Sequence, residues 1–143
     1  MDIVGFSFNK ISINRKKKAE AQIKINTNLE IKAIEKENAD LFRGKEVFGF
    51  PFEFKVNYEP GFAEIIIEGS ILSVLEPNSA KNLLKEWKKK KIPDEIRIPL
   101  FNIILSKCNL KALQLEDDLN LPFHLPLPRL KKSEQADNTS YTG

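Results

Sequence analysis

The twelve residues Val47–Tyr58, VFGFPFEFKVNY, decide how the rest of the chain is read. Phe48, Phe50, Phe52 and Phe54 recur at every second position, and Val56 and Tyr58 continue the series. Side chains alternate faces along an extended backbone, whereas a helix repeats every 3.6 residues or so. A period of two held this long therefore specifies a strand with one unbroken apolar, mostly aromatic face. Gly49, Pro51, Glu53, Lys55 and Asn57 take the opposite parity, and Pro51 there predicts an edge strand or a bulge. Such a stripe requires a large apolar partner: a helix layer, another subunit, or a foreign chain.

Working outward, Glu59-Pro60-Gly61 predicts a tight turn into a strand over Phe62–Leu75, with a bulge at Gly69-Ser70. Upstream, Ala21–Ala33 alternates cleanly: Ile23, Ile25, Leu29 and Ile31 on one side, Lys24, Asn26, Asn28, Glu30 and Lys32 on the other. That is the pattern of an antiparallel strand with one wet face. Ile3–Asn14 changes parity between Val4, Phe6, Phe8 and Ile11, Ile13, so a bulge near Asn9 and Lys10 is expected to keep both sets inward. A charged connector, Glu35–Glu46, carries the isolated apolar pair Leu41 and Phe42. These segments predict a four-stranded antiparallel meander of strands longer than the usual length of about 5–6 residues.

Two helices follow. Asn78 or Ser79 is a candidate cap for a helix whose Ala80, Leu83, Leu84 and Trp87 follow helical spacing. The lysines of Lys88–Lys91 suit its negative end, and Ile92-Pro93 stops it. Pro99 is expected to open a second helix reaching Leu115. Leu100, Phe101, Ile103, Ile104, Leu105 and Cys108 surround most of its first turns. A helix apolar nearly all round is buried on two sides, and one sheet covers only one of them. An oligomer is therefore expected, with Leu100, Phe101, Ile104, Leu105 and Cys108 at its interface. Leu119–Leu130, LNLPFHLPLPRL, is too rich in proline for a helix and too apolar for a free linker, so it should lie extended on an apolar surface. The polar tail at residues 131–143 should be disordered, leaving residues 1–130 as the single domain.

With 143 residues, 41% hydrophobic and 30% charged, the chain has the composition of a soluble globular domain. No apolar run approaches the roughly 20 residues of a membrane span, and the start lacks a signal-peptide pattern. A cytoplasmic location without membrane insertion is the expectation. A single cysteine, Cys108, excludes an internal disulfide and a cysteine-built zinc site. No nucleophile–base–acid set is visible, and the sole histidine, His124, sits between prolines with no evident partner. No phosphate-cradling glycine loop occurs. The chain is thus expected to be no enzyme and to need no cofactor or metal. Formal net charge is only +3, and the basic clusters Arg15–Lys18 and Lys88–Lys91 lack aromatics on the same face. Binding of nucleic acid through a basic surface is the alternative to binding of polypeptide, and no nucleic-acid partner is expected.

The order of these elements resembles the SecB family of protein-export chaperones. The likeness is carried by FEFKVNYEPGFAEIIIEGSILSV (Phe52–Val74) and by IPLFNIILSKCNLKALQLEDDLNLP (Ile98–Pro122), which are similar to the family's central hairpin and its proline-started second helix. The resemblance implies an α+β fold, a dimer of dimers forming a homotetramer, and an ATP-independent holdase for unfolded polypeptide in protein transport. It places client-binding candidates at Phe6, Phe8, Leu41, Phe42, Val47 and Phe48. The family docks the export ATPase SecA on an acidic strand face. Lys24 and Asn26 stand at the corresponding positions here, so a SecA handover is not expected.

Overall fold

The phenylalanine strand lies inside the sheet, flanked on both sides. In a computed structural model describing residues 1–16, 18, 22–38 and 44–128, the elements are β1 (Asp2–Arg15), β2 (Lys24–Ile31), β3 (Glu35–Glu37), β4 (Glu46–Glu59) and β5 (Ala63–Leu75). Two helices follow, α1 (Pro77–Trp87) and α2 (Asp94–Asp118). All strand pairs are antiparallel. The class is the expected α+β arrangement of an antiparallel sheet followed by two helices. Residues 129–143, and with them the expected disordered tail, lie outside the described residues.

The strand order is not the expected meander. It runs β1-β5-β4-β2, with β3 also on β4. Alternation reveals which face of a strand is apolar but is silent about its neighbour. On β5, Ile65, Ile67 and Ile71 are fully buried and need cover on both flanks. β1 supplies it: Ile13 pairs with Ile65 and Phe6 with Ile71, and the Phe6 ring lies 5.7 Å from that of Phe52. Three strand spacings, about 14 Å, separate β1 from β2, a distance that residues 16–23 span with ease.

Pro51 marks neither an edge nor a bulge. β2 and β3 act as one interrupted strand along β4, and Pro51 sits opposite the interruption. The Pro51 carbonyl accepts a hydrogen bond from the Lys32 amide at 2.8 Å, so its donor-less nitrogen points to the same side, where Lys32–Ile34 leave the ladder. Nor is Gly69 a bulge, because the β4–β5 register runs without a shift. The irregularities lie in β1, at Ile3/Gly5 and Phe8/Lys10. The second is the bulge expected near Asn9. The first was not foreseen, and it turns Val4 outward, 45% exposed.

α1 begins with Pro77 at its first turn rather than being capped by Asn78 or Ser79; Glu76 is the N-cap and makes no side-chain cap bond. It buries Ala80 and Leu83, while Leu84 is 41% exposed. α2 starts at Asp94, with Pro99 inside it. Asp94 and Glu95 complement the helix N-terminus, and Ile96, 1% exposed, extends the inward stripe one step before Leu100. The carbonyl left free by Pro99 belongs to exposed Glu95, where water can satisfy it. The stripe Ile96, Leu100, Ile104, Cys108, Ala112, Glu116 is fully or almost fully buried. Each four-residue step advances about 40° around the helix, so the inward face winds as α2 crosses the sheet. Much of the apolar girth read as two-sided burial is this winding. Among the described residues, no helix is long and apolar enough to cross a membrane.

Candidate functional site

Of the six candidate binding residues, the structure brings Phe6 and Phe8 together and covers two others. Phe6 and Phe8 are half-buried at the sheet edge, with ring centroids 5.1 Å apart. Lys107 of α2 lies over Phe6 at 6.0 Å. Val47 and Phe48 are 2% and 0% exposed, so they belong to the core and not to a surface groove. Phe48 shares the parity of the stripe and packs in the core cluster with Phe50, Phe52 and Phe54, whereas Val47 has the opposite parity and is buried on the other face. Leu41 and Phe42 lie outside the described residues.

Three of the five interface candidates are corrected in the same way. Leu100, Ile104 and Cys108 have no exposed surface and face this chain's own sheet. Phe101 and Leu105 are half-buried. The apolar residues α2 leaves outside are Ile98, 51% exposed, and Leu110, 60% exposed. Burial pushes the Cys108 thiol up to about 12, which leaves it protonated and inert at neutral pH.

Sequence reasoning missed a cavity of about 740 Å³ between the end of β2, the turn joining the helices and the first half of α2. Its apolar lining is Leu29, Ile31, Trp87, Ile92 and Phe101; Glu30, Lys90, Lys91, Asp94 and Arg97 contribute the polar lining. Lys90 makes the turn with φ +58° and sets its ammonium 4.7 Å from the Trp87 ring centre. Arg97 is held to Asp94 by hydrogen bonds of 2.9 and 3.1 Å. The lining combines an apolar floor with polar and charged groups around it. Ile92 between lysines and Pro93 was the one available signal. A second cavity, of about 630 Å³ at the β4–β5 turn, is lined mainly by polar groups including Asn14, Arg15, Lys16 and Glu59. Its lining is less suited to apolar chain.

His124 proves to have partners after all. Its Nδ1 lies 2.9 Å from both oxygens of Glu116, its Nε2 2.9 Å from Asn109 Oδ1, and its backbone N–H donates to Glu116 Oε1 at 3.2 Å. Neither side chain of the pair is exposed. The Tyr58 hydroxyl points at Glu116 Oε2 and lies 2.9 Å from the Pro122 carbonyl oxygen, so two acceptors share its proton. Burial, and then Glu116, push the Tyr58 phenol well above its ordinary value. Nothing nucleophilic or metal-ligating completes the set, and among the described residues no group of three or more potential ligands gathers around a metal position. The cluster ties β4, α2 and the proline-rich segment together. Glu116 had no sequence signal, because it opens the acidic run Glu116-Asp117-Asp118 and reads as solvated.

Neither a family model nor a curated protein matches the sequence. Among solved structures, the chain is similar to the SecB-like chaperone of Mycobacterium tuberculosis in complex with a ChAD peptide from the HigA1 antitoxin. The TM-score is 0.50 at 12% identity, over 91% of this chain and 89% of that one. The likeness is one of fold, and the fold of this chain is SecB-like.

Proposed function

We propose that the protein is an ATP-independent holdase that binds non-native polypeptide in extended, apolar form, as a homo-oligomer in the cytoplasm. The observation that carries this reading is the cavity of about 740 Å³ lined by Trp87, Ile92 and Phe101 on a SecB-like fold. Apolar anchors within a rim of mixed charge bind many sequences with little preference. The similar mycobacterial protein holds a peptide from an antitoxin, and a dedicated client of that kind is compatible with the cavity here. Lys24 is exposed and Asn26 half-buried on β2, neither of them acidic, so the reading is of a chaperone without a SecA handover.

The test is suppression of light scattering from a denatured model protein, without nucleotide. Suppression should hold from low to high salt, because apolar burial is not weakened by ionic strength while lysine–phosphate contacts are. An Ile92→Asp variant should keep its fold and lose suppression. Aggregation that proceeds unchanged beside the wild-type protein would remove the holdase reading, and salt-sensitive binding of nucleic acid instead would favour the basic-surface alternative.

A further inference from the structure

After α2 the chain turns at Asn120, φ +53°, and the segment Leu121–Pro128 runs without helix or strand. Two inward side chains hold it: Leu121, 5% exposed and part of the core, and His124, whose side chain is wholly buried against Phe54 at 6.2 Å between ring centres. Phe123, Leu125 and Leu127 are 39%, 37% and 49% exposed. Pro122, Pro126 and Pro128 have no N–H to give, so few backbone bonds tie the segment down. The Leu121 amide donates to the Glu116 carbonyl at 2.8 Å, and the His124 amide to the Glu116 side chain.

We infer that this segment is a releasable strap, latched by the Glu116–His124 pair, which occupies a site on the helix side of β4 that an extended apolar chain takes when the strap opens. Three features carry the inference. The strap is itself a proline-spaced apolar peptide without helix or strand, the chemistry of an unfolded client. The latch is a buried cluster of polar side chains, a contact that adds register more than stability and whose groups are hydrated when it opens. Proline pre-orders the free strap, so leaving and returning cost little chain entropy. The occupant's chemistry rests on the holdase reading, but the strap and its latch do not.

The experiment is hydrogen exchange on the full chain, with a synthetic peptide of the strap's own sequence, Leu119–Leu130, as the probe. In the wild type, the Leu121 and His124 amides should open separately from, and more often than, those of β4 and β5. Equal protection in strap and sheet would make the segment ordinary core and end the proposal. A His124→Ala variant leaves Glu116 without its partner, so strap protection should fall on the order of a hundredfold while the sheet keeps its own. That variant should bind the peptide in trans where the wild type does not. His124→Gln, which retains one donor for Glu116, should lie between them and serves if the alanine variant is unfolded. A freed strap with no binding in trans would overturn the inference. Trans binding by a protein that suppresses no aggregation would leave the strap standing and remove the holdase.

Discussion

A methyl group added at Gly69 would lie 2.3 Å from the Ser7 carbonyl oxygen and 2.6 Å from Cζ of Phe52. The oxygen belongs to a paired backbone and cannot yield, and the ring is held in the core. Gly69→Ala should therefore destabilise by at least about 1–3 kcal/mol, the scale of overpacking, in urea titrations. A variant as stable as the wild type would show that β1 and β5 do not approach as described. Tyr58 makes a prediction in pH. Its folded value is raised above the ordinary one of 10.0, by burial first and by Glu116 second, so the folded state holds the proton harder than the unfolded chain. The stability this contributes is complete below about pH 10 and is lost as pH rises toward the folded value. Phenolate absorbance, taken as the difference from a Tyr58→Phe variant, should rise only as the protein unfolds. A phenolate signal from a still-folded sheet would contradict the buried cluster. Both residues were visible in the sequence, Tyr58 as the end of the stripe and Gly69 as a suspected bulge. Their partners Glu116 and Ser7 were not, because each contact joins positions far apart in the chain.

At the scale of elements, α2 separates two kinds of apolar residue that its composition does not distinguish. Ile104 faces the sheet with no exposed surface, and Leu110 is 60% exposed on the far side. Ile104→Glu should cost roughly 3–5 kcal/mol as an unpaired buried charge and leave little folded protein. Ile98→Glu with Leu110→Glu should change the stability of the single chain by no more than about 0.5 kcal/mol per site. If the outer face joins subunits, that double variant should sediment as a smaller species than the wild type and remain folded. A wild-type chain already monomeric at micromolar concentration would remove the oligomer. The sequence suggested the helix and its burial, but placed its start at Pro99 and its interface on Leu100, Phe101, Ile104, Leu105 and Cys108, three of which face the sheet. A strict four-residue repeat winds about the helix axis, and only the position of the sheet shows which arc it meets.

At the scale of the whole molecule, the α+β class, the long strands and the two helices were legible because each follows from local periodicity. The run from Phe48 to Tyr58 alternates, and the run from Leu100 onward repeats at helical spacing; tertiary packing only confirms the choice. The SecB-like likeness of the central hairpin and second helix pointed to the same fold. The cavity around Trp87, Ile92 and Phe101 was not legible: none of the described candidate binding residues lines it, because it draws on three separate segments, the end of β2, the turn between the helices and α2. Phe6 and Phe8 stand together at the sheet edge, and Val47 and Phe48 are core. What the sequence by itself determined was the type of the long strands and the two helices, and the buried face of β2 and β4, since these depend on side-chain spacing within a few residues; the short strand β3, inside what reads as a charged connector, carries no such spacing. Only the tertiary structure decided that β1 pairs with β5, that Pro51 sits at a gap between β2 and β3, and that His124 meets Glu116. Those are choices among partners distant in the chain, and complementary surfaces make them only when the whole sheet and its helix layer are assembled.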